Sequence, residues 1–156
     1  MHITIAPASP KTGAATIRVL LSDTSNSSLK VRGVYRDLSR VPEEFKSDPR
    51  FEAVQGNVED AASIDFTGSD AVLNITPPLY FDDQDIVKHA HLVSENVKQA
   101  VQKAGVKRLV LITSAGAQLE SGTVSRSNLS SCCVFRRMLR LVPRERSSPT
   151  MRPKLS

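Results

Sequence analysis

The sequence predicts an α/β domain built on a parallel sheet of about five strands in the order 3-2-1-4-5. Short β-branched runs typical of strands alternate with stretches in which apolar residues recur every three or four positions. Two of the runs, residues 70–76 and 109–113, are almost continuously apolar, as in strands buried on both faces of a parallel sheet. Right-handed crossovers then place the first strand in the centre and all carboxyl ends at one edge.

The first half of the chain supplies three of these strands. Residues 3–6 form a β-branched run that ends in a proline-containing turn, and alternation over residues 29–35 predicts the second strand. Residues 51–55 are the third, and residues 42–46 can form one helical turn that begins with proline. A helix is predicted from Gly13 by the spacing of Ala14, Ile17, Leu20 and Leu21.

The second half carries the clearest helix of the chain. It lies between the two continuous runs, and Gly105 stands where a glycine usually ends a helix. A Ser-Ala-Gly turn at residues 114–116 follows the fifth strand. The apolar stripe of the helix consists of Ile86, Ala90, Val93, Val97, Val101 and Ala104.

Length and composition restrict the class of protein. The chain has 156 residues, of which 40% are hydrophobic and 24% charged, as in one globular domain. No apolar run approaches the roughly 18–20 residues of a membrane span, and the N-terminus does not have the pattern of a signal peptide. Cys132 and Cys133 are adjacent and cannot form a disulfide framework. We expect a soluble, reduced, cytoplasmic protein.

The net charge of +5 is confined to the end of the chain. Residues 1–120 carry 13 Lys and Arg against 15 Asp and Glu, whereas residues 121–156 carry eight against one. The basic charge therefore does not indicate nucleic-acid binding by the folded part. We expect residues 1–120 to form the folded domain and residues 121–156 to form a Ser- and Arg-rich tail.

Two interpretations of the tail remain open. Residues 134–142 place apolar and arginine residues on opposite helical faces, which would suit a partner or an anionic membrane. Three prolines at Pro143, Pro149 and Pro153 favour instead a poorly ordered end. We hypothesise that the sequence from about residue 123 is a divergent or truncated C-terminus produced by splicing or a gene-model error.

The carboxyl edge of the predicted sheet carries small and polar residues. Ligands bind at this edge in open α/β sheets. The turn after the first strand runs from Pro7 to Gly13 and leads directly into a helix. Backbone N–H groups at such a helix start bind the phosphates of nucleotides, so the edge has the chemistry of a nucleotide cleft.

This turn carries a resemblance to a known family. The chain resembles the atypical short-chain dehydrogenase/reductase superfamily, in particular its NmrA-like and isoflavone-reductase-like branch, which binds NAD(P) on a Rossmann-type sheet. The G-x-x-G-x-x-G turn of that branch falls on residues 7–13, where Gly13 is kept and Pro7 and Pro10 replace the other glycines. Ser9, Lys11 and Thr12 retain side-chain donors, and we expect Thr12 to cap the helix.

The resemblance also implies a preference for NADP(H) over NAD(H). Arg36 ends the second strand, where an arginine pairs with the 2′-phosphate, and Arg40 is a possible helper. A solvated strand-end charge is the alternative for Arg36. Asn57 falls on the family's adenine segment. The cofactor-binding residues implied are Ala8, Ser9, Pro10, Lys11, Thr12, Gly13, Arg36, Asn57, Asn74, Thr76, Thr113 and Ser114.

No catalytic residue follows from the sequence. Active short-chain dehydrogenases use a tyrosine with a lysine four residues later, but Ser39 and Gln84 follow Tyr35 and Tyr80 at that spacing. As an enzyme, the protein would be an NADPH-dependent oxidoreductase acting on a small organic substrate. The alternatives are a non-catalytic NADP(H) sensor or protein-interaction module, and an inactive fragment.

A metal site is not expected. His89 and His91 are interpreted as surface residues of the long helix. Three nearby acidic residues, Asp82, Asp83 and Asp85, resemble a metal cluster but fit better as groups that complement the positive end of that helix.

Overall fold

The computed structural model describes residues 1–76 and 86–112. The five strands are β1 (His2–Ala6), β2 (Lys30–Tyr35), β3 (Phe51–Gln55), β4 (Ala71–Ile75) and β5 (Arg108–Ile112). The helices are α1 (Lys11–Ser22), α2 (Glu43–Lys46) and α3 (Ile86–Ala104), with 3-10 turns at Leu38–Arg40 and Ala61–Ser63.

All five strands are parallel and lie in the order β3-β2-β1-β4-β5, which confirms the predicted sheet. The central strand β1 pairs with β2 on one side and β4 on the other, so that Ile5 lies between Gly33 and Leu73. Strands β2 and β3 therefore lie on one side of β1, and strands β4 and β5 lie on the other. In such sheets a crevice opens at the carboxyl ends of the strands where the strand order reverses.

One face of the sheet is covered by α1 and α2. The strand side chains alternate, so that Val31, Gly33 and Tyr35 face α1 and Val34 faces the other side. Phe45 of α2 packs against Phe51 with ring centroids 5.5 Å apart. The buried residues of this layer are Ile5, Ala8, Ile17, Leu29, Val31, Tyr35, Val41, Phe45 and Ile75.

The other face is covered by α3 and by the segment between β3 and β4. In the predicted stripe of α3, Ala90, Val93, Val97 and Val101 are buried. Gly105 ends the helix with φ +66°, as a helix-terminating glycine does. The buried residues of this layer are Ala6, Val34, Val58, Ile64, Phe66, Val72, Val93, Val97, Ala100, Val101 and Val106.

The start of α1 differs from the prediction. The helix begins at Lys11, two residues before Gly13, and Pro10 is its N-cap residue. The expectation that Thr12 caps α1 is wrong, because Thr12 already lies within the helix and its carbonyl accepts a 2.9 Å hydrogen bond from Thr16 Oγ1. Pro10 has φ −61°, close to the helical value, so the proline ring suits this boundary.

Several predictions fall on residues that the structure does not describe. These are the roles of Tyr80, Asp82, Asp83, Asp85, Thr113 and Ser114, the turn at 114–116, and the tail at 121–156 with both of its interpretations. Within the described ranges, no helix is long and apolar enough to cross a membrane. The same ranges contain no cluster of three potential metal ligands.

Candidate functional site

The turn between β1 and α1 is fixed by two close backbone contacts. The Ala8 N–H donates a 2.8 Å hydrogen bond to the Val34 carbonyl of β2, so this donor is used within the protein. A β-carbon on Gly13 would lie 2.7 Å from the Ala8 carbonyl oxygen. Gly13 therefore allows α1 to approach the turn more closely than a side chain would permit, as the resemblance implied.

The start of α1 presents backbone donors to the edge of the sheet. The first bond of the helix runs from the Ala14 N–H to the Pro10 carbonyl. The N–H groups of Lys11, Thr12 and Gly13 have no acceptor within the described part of the chain. Because these groups lie at the positive end of the helix dipole, they form a suitable surface for an anion. The two prolines remove donors at positions 7 and 10 but leave this set intact.

A pocket of about 270 Å³ lies beside this turn, at the end of β2. Its lining combines Ser9 from the turn with Arg36 and Arg40 from the segment after β2. The Arg36 side chain is 65% exposed, so its guanidinium is accessible to a ligand. Tyr35 and Asp37 complete the lining, and the pocket joins the α1 turn to both candidate phosphate-binding arginines.

Asp37 organises the arginine side of the pocket. Its carboxylate accepts a 2.9 Å hydrogen bond from the Ser39 N–H, which starts the 3-10 turn that carries Arg40. Arg40 Nε lies 4.0 Å from the other carboxylate oxygen. Hydrogen bonds from the side chain and backbone of Ser39 hold the pKa of Asp37 below its usual value, so this residue is ionised at neutral pH.

Tyr35 belongs to the core rather than to a catalytic set. The residue is 1% exposed, and its hydroxyl group has no hydrogen-bond partner in the part of the chain that the structure describes. Burial raises the pKa of Tyr35 to about 12. The ring lies over Gly33, because a β-carbon there would be 2.7 Å from Tyr35 Cε2. The sequence interpretation of Tyr35 as a strand residue is therefore confirmed by its packing.

The loop after β3 holds Asn57 in a tight turn. The Asn57 side-chain oxygen accepts a 3.1 Å hydrogen bond from the Glu59 N–H, and the Asn57 N–H donates a 2.9 Å bond to Ser63 Oγ. The Asn96 amide of α3 donates a 3.2 Å bond to the Val58 carbonyl. The loop is thus tied to α3 and holds Asn57 half-buried beyond the end of β3.

The sequence does not reveal Glu59 as a partner of Arg36, or His89 as a neighbour of Glu59. Glu59 Oε1 lies 4.0 Å from Arg36 Nη1 and 3.8 Å from His89 Nε2. The His89 side chain is only 15% exposed, so the surface interpretation of His89 is wrong, whereas His91 is exposed. A helical stripe does not reveal this contact, since Glu59 and His89 come together only when α3 packs against the loop after β3.

Asn74 occupies the end of β4 beside the central strand. Its backbone is in register with Ala6, the last residue of β1. Its side chain is fully buried, and neither the amide nitrogen nor the oxygen has a hydrogen-bond partner among the described residues. An unpaired buried amide costs free energy, so its presence at a ligand-binding edge is typical of a functional group. Thr76, two residues later, is half-buried.

Nine of the twelve residues implied by the resemblance lie at or beside the turn and strand ends just described, and Thr76 follows β4 at the same edge. The structure brings Ser9 and Arg36 together in one pocket and leaves the backbone donors of Lys11, Thr12 and Gly13 beside it. Asn57 and Asn74 lie beyond β3 and at the end of β4. Thr113 and Ser114 lie outside the described residues.

Solved structures that share this fold include two reductases and one short-chain dehydrogenase/reductase. The Citrobacter sp. triphenylmethane reductase complexed with NADP(H) is 21% identical with a TM-score of 0.70, over 92% of this chain and 47% of that chain. Yeast methylglyoxal/isovaleraldehyde reductase Gre2, complexed with NADPH, is 17% identical with a TM-score of 0.71, over 90% and 53%. A wide-type short-chain dehydrogenase/reductase from Veillonella parvula in complex with NADP is 16% identical with a TM-score of 0.66, over 89% and 63%.

The chain thus spans less than two thirds of the length of each of these structures. No curated protein matches the sequence. A family model described as NAD(P)H-binding matches residues 8–140, from the turn after β1 to beyond β5. The expected nicotinamide-dinucleotide fold is therefore confirmed, and the chain belongs to the NAD(P)H-binding family.

Proposed function

We propose that this chain binds NADP(H) across the carboxyl edge of its sheet and forms the cofactor-binding part of a reductase that acts on a small organic substrate. One observation carries the proposal. The pocket at the end of β2 places two arginines beside a turn that leads into α1, whose first backbone donors have no acceptor among the described residues. That combination suits a ligand with a phosphate at each of two nearby positions.

The residues present fit a dinucleotide. The N–H groups of Lys11, Thr12 and Gly13 would bind the pyrophosphate, and the close contact of Gly13 with Ala8 sets the helix at the required depth. The pocket of about 270 Å³ would take the adenosine end. Asn74, whose amide has no partner among the residues that the structure describes, would face the middle of the ligand-binding edge beside the central strand.

Arg36 supports the choice of NADP(H). Its guanidinium is exposed at the end of β2, where an acidic residue would instead repel a 2′-phosphate. Charge-assisted hydrogen bonds from an arginine to a phosphate are about twice as strong as neutral ones. Arg40 lines the same pocket and adds a second positive charge. Ser9, on the opposite side of the pocket, offers a hydroxyl donor.

A bound NADPH would supply a hydride, and the described residues would bind and orient it. Among the described residues, Tyr35 is not available as a proton donor, because its hydroxyl is buried and burial raises its pKa to about 12. This observation favours a second candidate function, in which the chain is an NADP(H)-sensing module that does not turn the cofactor over.

Titration of the purified full chain with NADPH and NADH tests the proposal. We expect NADPH to bind more tightly, and Arg36→Ala to weaken NADPH binding by about tenfold or more while leaving NADH binding unchanged. Arg108→Ala is the matched control, since Arg108 is exposed at the start of β5, at the opposite edge. Negligible binding of both dinucleotides would contradict the proposal and would favour an inactive fragment. Binding without NADPH oxidation across a substrate panel would favour the sensor.

A further inference from the structure

Glu59 places a carboxylate against the arginine that is proposed to bind the 2′-phosphate. Its Oε1 atom lies 4.0 Å from Arg36 Nη1. Glu59 is on the loop after β3 and Arg36 follows β2, so the contact forms across neighbouring strand ends. The Glu59 side chain is 33% exposed, so its carboxylate is partly open to solvent beside the guanidinium.

The position of Glu59 is fixed by the protein on both sides. Its own N–H donates to the Asn57 side chain at 3.1 Å, and the carbonyl of the preceding residue, Val58, accepts from Asn96 at 3.2 Å. Val58 is buried against α3. These hydrogen bonds hold the Glu59 backbone from both the loop and the helix, beside the end of β2.

His89 does not remove Glu59 from this contact. Its Nε2 atom lies 3.8 Å from the same carboxylate oxygen and forms no hydrogen bond within residues 1–76 and 86–112. The same oxygen lies 4.0 Å from Arg36 Nη1, so Glu59 keeps its contact with the guanidinium. The structure therefore places the Glu59 carboxylate between the Arg36 guanidinium and the His89 imidazole.

We propose that Glu59 is a specificity-determining residue that limits the preference of this site for NADP(H) over NAD(H). This inference rests on the proposed role of Arg36. A 2′-phosphate must compete with Glu59 for the Arg36 guanidinium, and it also meets the repulsion of the nearby carboxylate. NADH has a 2′-hydroxyl at that position and leaves the Arg36–Glu59 pair undisturbed. Glu59 thus weakens the binding of one dinucleotide selectively.

Glu59→Gln tests this proposal because it removes the charge and keeps the shape of the side chain. We expect NADPH to bind roughly fivefold more tightly, as for removal of one exposed ionic competitor, with NADH binding unchanged. Glu52→Gln is the matched control. Glu52 is 54% exposed and pairs with Arg32 near the start of β3, at the opposite edge of the sheet, so its loss should alter neither affinity.

A double-mutant cycle shows whether Glu59 acts through Arg36. In the Arg36→Ala background, the selective gain from Glu59→Gln should shrink to the small part due to direct repulsion of the phosphate. An undiminished gain in that background would overturn the proposed competition. In the protein that retains Arg36, Glu59→Gln would also overturn the proposal if it increased the affinities for NADPH and NADH equally, or if it did not increase the affinity for NADPH.

The two proposals fail in different ways. If Arg36→Ala leaves the ratio of NADPH to NADH affinity unchanged, the proposed role of Arg36 is wrong. If Arg36→Ala lowers that ratio and Glu59→Gln does not raise it, only the role of Glu59 is wrong. Glu59→Asp, which keeps the charge but shortens the side chain, decides the matter if the glutamine variant does not fold. A partial selective gain then supports the proposal and no gain contradicts it.

Discussion

A β-carbon on Gly13 would lie 2.7 Å from the carbonyl oxygen of Ala8, nearer than such atoms approach in proteins. The contact joins the first turn of α1 to the end of β1. It explains why Gly13 is retained where proline replaces the other two glycines of the family's turn. The position needs close backbone approach rather than a positive φ, since the backbone of this turn contains no residue with positive φ.

Gly13→Ala should destabilise the protein and weaken binding of both dinucleotides. Helix propensity alone favours alanine by about 1 kcal/mol. The clash is with backbone atoms that have no rotamer to adopt, and overpacking of this kind costs about 1–3 kcal/mol. We therefore expect a lower free energy of unfolding in urea. A gain in stability would mean that the turn is free to move away from α1.

Tyr35→Phe should leave the protein as stable as the native chain or make it more stable. The Tyr35 hydroxyl is buried without a partner in the described ranges, and leaving such a group unpaired costs about 1–3 kcal/mol. The ring itself is kept, so its packing over Gly33 is preserved. Thermal unfolding of the two proteins measures the difference. A clear loss of stability in the phenylalanine variant would show that the hydroxyl is hydrogen-bonded.

Tyr35 should also contribute to loss of stability in alkali. Its pKa is raised by burial from 10.0 to about 12 in the folded protein, so the unfolded chain loses this proton first. The stability linked to the neutral phenol is complete below pH 10 and is lost as the pH rises towards 12. Urea unfolding at several pH values should show a shallower decline for Tyr35→Phe over this range. Parallel declines would contradict the assignment.

Arg50 should be more important for stability than the exposed ion pairs. It donates a hydrogen bond to the Leu21 carbonyl and a 2.9 Å bond to the Asp23 carbonyl, at and just beyond the end of α1. The Arg50 guanidinium also pairs with the Asp48 carboxylate at 2.9 Å. Hydrogen bonds from the side chain and backbone of Arg50 lower the pKa of Asp48. Removing Arg50 leaves carbonyls at the helix end without a partner.

We expect Arg50→Ala to lower the free energy of unfolding by about 2 kcal/mol. Lys46→Ala is the comparison, since it removes an exposed pair with Glu43 and should cost less than about 0.5 kcal/mol. Urea unfolding measures both. Equal effects of the two substitutions would show that Arg50 does not stabilise the end of α1.

The fold could be predicted from the sequence because its strongest signals are local. The continuous runs of β4 and β5 and the stripe of α3 indicate their own structure and burial, and right-handed crossovers then set the strand order. The alternation of apolar and polar residues over 29–35 is sufficient to predict that Arg36 lies at the end of β2. Its location at the ligand-binding edge follows from the topology.

The contacts around Arg36 could not be predicted in this way. Glu59 meets Arg36 and His89 across gaps of 23 and 30 residues, and neither spacing carries a periodic signal. The bond from Ala8 to Val34 likewise depends on how the turn folds over β2. The start of α1 was misplaced because apolar spacing begins at Gly13, whereas the helix is started by the fixed φ of Pro10.

An NMR titration of the isotope-labelled full chain with NADPH tests the central claim most directly. Binding at the carboxyl edge should shift the backbone amide signals of Lys11, Thr12, Gly13 and Arg36. The signals of Glu52 and Arg108, at the amino ends of their strands, should stay in place. Shifts confined to the amino edge, or no saturable shift at any amide, would contradict dinucleotide binding at this site.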